Sequence, residues 1–149
     1  CSPLIIGADI RTISPAMREL LLNKALISIN QDPECRPPYL VSRRSATTEE
    51  TDRENGTEPV RTIKDQLYSF IRILSDNQFV VAHYNLFEKE QEMLFTFADA
   101  GIPYSSGYGF EMTDVFIGEC IGNVRDYQRV TVPAHDCRLY LCRLVNYND

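Results

Sequence analysis

The sequence has no surplus of positive charge, no long apolar run, no paired cysteine motif and only two histidines. Each shortage closes off a class of function. A net charge of −6 over 149 residues leaves no basic surface able to neutralise several phosphates, so no nucleic acid partner is expected. The same deficit disfavours an anionic membrane surface. The longest apolar runs are a handful of residues against the roughly 20 needed to span a bilayer, and no charged segment leads into an apolar one at the start. No membrane segment and no signal peptide are therefore expected. The five cysteines, Cys1, Cys35, Cys120, Cys137 and Cys142, are odd in number and never spaced as CxxC, while His83 and His135 are not near-neighbours of each other or of a closely spaced thiol pair. Zinc needs paired ligands a few residues apart, so neither a metal nor any other cofactor is expected. A disulfide framework belongs to shorter secreted chains with an even count. Cys137 and Cys142 would point to opposite faces of one strand and cannot pair. The thiols read as small buried or half-buried hydrophobes in a reducing, cytoplasmic compartment. The chain opens at Cys1 rather than Met, as expected of a processed or cut polypeptide.

What is present fits one globular body: 44% hydrophobic and 24% charged residues place the chain well inside the globular range. Three zones separate by composition. In the first, residues 1–43, Leu4, Ile5 and Ile6 form a short continuous apolar run, as in a strand covered on both faces. Ser14 followed by Pro15 is an N-cap with Pro at the first helical position, and Met17, Leu20 and Leu21 then repeat at helical spacing. A helix is expected from Ser14. The stretch ALISI, Ala25 to Ile29, stays open: alternation and β-branching favour a strand, whereas Asn23 would cap a second short helix. The second zone, residues 44–62, is polar and nearly free of large apolar side chains, which predicts a mobile linker or loop. Its Asn55-Gly56-Thr57 sequon matters only in a glycosylating pathway.

The third zone, residues 63–149, reads as all-β. LYSFIRIL and FVVAHYNLF flank SDNQ and predict an antiparallel hairpin with a short turn. QEMLFTF, GYGFEMTDVFIGE, RVTVP and CRLYLCRLV predict further strands, separated by Gly, Asn, Asp and Pro. Strands at this spacing suggest an antiparallel β-sandwich.

The stretch SPLIIGADIRTISPAMRELLLNKALISINQDP carries Asp9, Ile10-Arg11, Ser14, Asn23-Lys24 and Asn30-Gln31-Asp32-Pro33 in order. It resembles the last strand and following helices of the (β/α)8 barrel in glycoside hydrolase family 27, the α-galactosidase or melibiase group. RILSDNQFVVAHYNLFEKE resembles the first hairpin of that family's C-terminal β-domain, and DVFIGECIG with VTVPAHDCRLYLCRL resembles its end. The polar zone is longer than the family's short connection. The fold implied is mainly β, an antiparallel β-sandwich preceded by the last strand-helix unit of a barrel that normally takes about 250 residues. The resemblance also implies a retaining enzyme with two carboxylates roughly 5–5.5 Å apart. In the family these come from a Lys-Tyr-Asp motif and an Arg-x-x-Asp motif. Neither motif occurs here, so no catalytic residue is expected in this chain.

Candidate residues carry competing readings. Asp9, at the expected C-terminal end of a barrel strand, is a weak candidate for substrate contact; capping the turn and pairing with Arg11 or backbone amides is the preferred reading. His135 in VPAHDC is a general-base candidate without a nucleophile, and a turn histidine bonded to backbone is preferred. His83 alternates with Val81 and Asn85 and reads as packed or half-exposed. Tyr104, Tyr108 and Phe110 would suit a sugar-stacking platform, with ordinary sheet packing preferred.

Two functional classes follow. One is the C-terminal piece of a retaining α-galactosidase, meeting an α-galactoside only through its parent barrel and inert alone. The other is a free-standing β-sandwich module that binds carbohydrate or protein. Self-association into a homo-oligomer is expected from the strand edge at LIIG and the uncovered faces of Leu20, Leu21 and Leu26.

Overall fold

The computed structural model describes Gly7, Asp9, residues 11–50 and residues 60–147. The strand expected at Leu4 to Ile6 lies outside the described residues. Helix α1 spans Pro15–Leu21, and its Ser14 cap accepts a hydrogen bond from the Met17 amide. Helix α2 spans Lys24–Asn30, which settles the open reading of ALISI in favour of helix. The deciding residue is Asn23. Its Oδ1 accepts from the Leu26 amide at 3.1 Å, while its Nδ2 donates to the Val115 carbonyl at 2.8 Å, so one side chain starts the helix and fastens it to the sheet.

Eight strands follow: β1 Tyr39–Glu50, β2 Val60–Ile73, β3 Gln78–Asn85, β4 Gln91–Thr96, β5 Tyr108–Asp114, β6 Cys120–Val124, β7 Tyr127–Val132 and β8 Asp136–Asn146. Six form one sheet in the order β1-β2-β3-β8-β5-β6, and β4 with β7 forms a second. Every pairing is antiparallel. The β2–β3 turn places Asp76 and Asn77 at φ 56 and 57, two successive left-handed residues of the kind a tight hairpin needs.

The polar zone departs from expectation. A linker over residues 44–62 is replaced, on both sides of residues 51–59, by strand: Arg43 lies opposite Tyr68, Ser45 opposite Gln66 and Glu50 opposite Val60. Residues 51–59 lie outside the described residues. Low hydrophobicity does not mean an unpaired backbone, since a strand is defined by its ladder to a neighbour. β1 also begins before the boundary expected at residue 43. The short strand β6 was missed for a related reason, since its residues are mostly exposed and it ends the sheet.

The core fills the space between the two sheets. Phe110 sits with its ring 4.7 Å from Phe79 and 4.5 Å from Phe97, edge-on or tilted in each case. Phe95, Met112, Val132 and Cys142 complete a cluster that is buried throughout. On the opposite face of the large sheet, Ile29 of α2 packs with Leu74, Val80 and Val115. The arrangement is therefore helix, six-stranded sheet, two-stranded sheet.

Candidate functional site

Asp9 and Arg11 form a local pair at the surface: Nε of Arg11 donates to Oδ1 at 2.9 Å and Nη2 to Oδ2 at 2.8 Å. The Arg11 amide also donates to Oδ1 at 3.0 Å. These bonds, the side-chain ones foremost, hold the Asp9 carboxyl below the usual carboxylate range. A glycosidase acid needs the reverse, a carboxyl pushed upward so that it keeps its proton. Asp32 is biased the same way. Its Oδ2 accepts from the Ser75 hydroxyl at 2.6 Å and the Ser75 amide at 3.0 Å, and its Oδ1 accepts from the Glu34 amide. The Ser75 hydroxyl is the main cause of its lowered pKa. Asp32 thus ties the end of the helical segment to the β2–β3 turn.

His135 occupies a left-handed turn position at φ 52, and its Nε2 lies 3.0 Å from Oε2 of Glu88 on the exposed surface. No nucleophile adjoins it among the described residues. The partner is a carboxylate rather than the backbone group anticipated from sequence.

His83 is fully buried, and its Nδ1 lies 2.9 Å from the Ser69 hydroxyl. The two are direct cross-strand partners in the β2–β3 hairpin. A Ser–His contact has the outline of a nucleophile and its base, but both residues are closed within the molecule and the ring packs edge-on to Tyr140. Desolvation pushes the His83 pKa down to about 4, so the ring stays neutral at pH 7. This is a core pair. Sequence reading missed it, although the register about the SDNQ turn carried the signal.

Asn85 was also missed. Its fully buried Nδ2 lies 2.9 Å from the Val132 carbonyl, 2.8 Å from that of Pro133 and 2.9 Å from that of Lys89, while its Oδ1 accepts from the Phe87 amide. The amide thereby clamps the β7–β8 turn to the end of β3. Nothing in the alternation of the strand distinguishes it from a solvent-facing Asn.

The three aromatics do not form a platform. Phe110 is core, Tyr104 stacks on Phe97 with centroids 6.2 Å apart and its remaining surface exposed, and Tyr108 is exposed at the start of β5. Of the thiols, Cys142 is buried and Cys137 half-buried as read, but Cys35 and Cys120 are exposed, which corrects the reading for those two; Cys1 lies outside the described residues. Cys35 sits in a turn at φ 51, and Cys120 opens the edge strand β6. Among the described residues no cluster of three or more His, Cys, Asp or Glu could hold a metal ion, and no helix is long and apolar enough to cross a membrane.

A concavity of about 350 Å³ near the β2–β3 turn is lined by Glu34, Arg36, Tyr39, Ser75, Asp76 and Phe79, and two more, both apolar, lie on the outer face of the large sheet beside α2. One, of about 350 Å³, is walled by Ile29, Phe70, Arg72, Val80 and Leu139. Its neighbour, of about 310 Å³, is walled by Leu20, Leu26, Ile27 and the same Ile29 and Arg72. Both linings are almost wholly apolar, with one guanidinium between them.

Residues 65–142 match the profile of a family described as the alpha galactosidase C-terminal beta sandwich domain. The chain is 32% identical over 140 residues to the probable alpha-galactosidase B of Aspergillus clavatus, covering 91% of this chain and 30% of that protein. It is 27% identical over 148 residues to the alpha-N-acetylgalactosaminidase of Gallus gallus, covering 95% and 31% respectively. The solved alpha-galactosidase of Saccharomyces cerevisiae with raffinose superposes with a TM-score of 0.76 at 19% identity, over 97% of this chain and 40% of that one. The chain thus spans about a third of the length of the curated relatives it matches.

Proposed function

This chain belongs to the family of α-galactosidase C-terminal β-sandwich domains, and from that premise we propose that the polypeptide carrying it is a retaining glycoside hydrolase that cleaves terminal α-galactosides. In this reading residues 1–43 supply the last strand-helix unit of a barrel that holds both catalytic carboxylates, and the sandwich from residue 63 onward is its non-catalytic companion. The long β1–β2 hairpin joins the two. The observation that carries the reading is the family match over residues 65–142, which falls on paired strands from β2 to β8.

The carboxylate chemistry of the described residues agrees with it. Asp9 is held ionised by Arg11, Glu92 pairs with Arg129 at 2.6 Å, and Asp136 lies 3.5 Å from Arg138. None of these is placed as a protonated acid facing a nucleophile across one sugar. The purified chain is therefore expected to leave a nitrophenyl α-galactoside intact, while the longer polypeptide, bearing Lys-Tyr-Asp and Arg-x-x-Asp motifs, hydrolyses it. Turnover by the chain alone, abolished by Asp9→Asn, would overturn the assignment.

A further inference from the structure

The geometry points to Arg72 as the receptor for a carboxylate of the polypeptide outside this chain, on a docking face formed by α1, α2 and the outer side of β2 and β3; this rests on the reading that the chain is part of a longer protein. Nε and Nη2 of Arg72 are shielded from solvent and find no hydrogen-bond partner among the described residues. A guanidinium is a planar fork built to grip a carboxylate with two parallel bonds, and buried donors left without acceptors are costly. The nearby carboxylate of Asp32 feels the Arg72 charge but leaves these donors unbonded, because Ser75 and the Glu34 amide engage both its oxygens.

The surroundings specify the rest of the occupant. Arg72 stands where the two apolar concavities meet, with Phe70, Val80 and Leu139 on one side and Leu20, Leu26 and Ile27 on the other. The apolar surface continues onto α1, none of whose residues is buried: Met17, Leu20 and, at its C-cap, Leu22 are 47%, 41% and 61% exposed. Two shallow grooves that share Arg72 and run onto a helix face form an open apolar patch rather than one enclosed cavity. What fits is a protein surface in which one Asp or Glu is flanked by apolar side chains. With relatives about three times as long as this chain, the polypeptide outside it is the partner at hand. Its carboxylate would be desolvated on docking and paired with Arg72 alone, which makes the contact specific as well as stabilising.

The test compares Arg72→Met and Arg72→Lys in two settings, this chain by itself and the longer polypeptide. In the isolated chain, Arg72→Met should hold or raise the thermal midpoint, since it removes two shielded donors that find no acceptor among the described residues. In the longer polypeptide it should lower the midpoint by several degrees and increase proteolysis between the two parts, with Arg72→Lys falling in between. That reversal of sign between the settings is the expected signature. The same direction of change in both would overturn the docking assignment while leaving the glycosidase reading intact, provided the longer polypeptide still hydrolyses an α-galactoside. A reading frame that begins at this chain would overturn both. If light scattering shows the isolated chain to be a dimer that Arg72→Met dissociates, the carboxylate comes from a second copy and the proposal falls.

Discussion

The two faces of the six-stranded sheet are built to different standards. Its inner side meets β4 and β7 through Phe79, Val81, Phe110, Met112 and Cys142, all buried, and the polar groups there, Ser69, His83 and Asn85, are buried with them. Among the described residues its outer side is covered in part, by α2, which buries Ile29, and it leaves Tyr84 41% exposed and Nε and Nη2 of Arg72 without a hydrogen-bond partner. One face completes a domain. The other, beside α2, is apolar and shallow, with the Arg72 guanidinium set among apolar side chains. Substitutions should therefore cost stability on the inside and change association on the outside.

The sharpest break comes from Phe110→Ala. The ring touches Phe79, Phe95 and Phe97, and its removal leaves a void between the sheets. A loss of about 3–5 kcal/mol is expected, read as a lower urea midpoint, against a total stability of the order of 5–15 kcal/mol. A loss below about 1 kcal/mol would show that the sheets repack and that the inner face is not the better built one.

Next in size is the acid response of His83. Its pKa in the folded chain, about 4, lies below the ordinary 6.5, so the unfolded chain takes up the proton first. The stability that this group confers is whole above pH 6.5 and is lost as pH falls toward 4, with a ceiling of about 3 kcal/mol. Urea midpoints measured at pH 7 and pH 4.5 should show this loss. His83→Gln should flatten that part of the profile. An unchanged profile in the variant would place the acid sensitivity elsewhere. Asn85→Ala should cost about 1–3 kcal/mol through the carbonyls and amide it leaves unpaired, and its separate readout is faster amide exchange around Phe87 and the β7–β8 turn.

The inner face was the legible one in sequence, because a sheet buried on one side writes its β-branched and aromatic residues at fixed period. β3, β4, β5, β7, β8 and the part of β2 from Leu67 follow runs recognised that way, and the SDNQ turn falls where Asp76 and Asn77 turn left-handed. Polar strands carry no such mark. β1 beyond Arg43 and the edge strand β6 are defined by hydrogen bonds to neighbours, which composition does not report. Asn85 and the Ser69–His83 pair were missed for a different reason: their roles depend on which carbonyl or ring lies opposite, and that follows only once the register about the turn is worked out. The helix cap at Asn23 was readable, but its second bond, to Val115, spans 92 residues and was not.

The smallest effect on stability is expected where the outer face is least covered. Leu20 lies on α1, which buries none of its residues, and is 41% exposed at the mouth of the apolar concavity it shares with Leu26 and Ile29. Replacing it by Lys removes little area that folding had buried, so the urea midpoint should move by no more than about 0.5 kcal/mol of stability. Association should respond instead. The isolated chain, with this face uncovered, is expected to form dimers or larger species as its concentration rises, and a charge in the middle of the patch should shift light-scattering mass toward the monomer. The same substitution in a chain docked to the rest of a longer polypeptide would bury that charge and loosen the junction. If Leu20→Lys destabilised the isolated chain as much as Phe110→Ala does, α1 would have to be counted as part of the core and the contrast between the two faces would disappear.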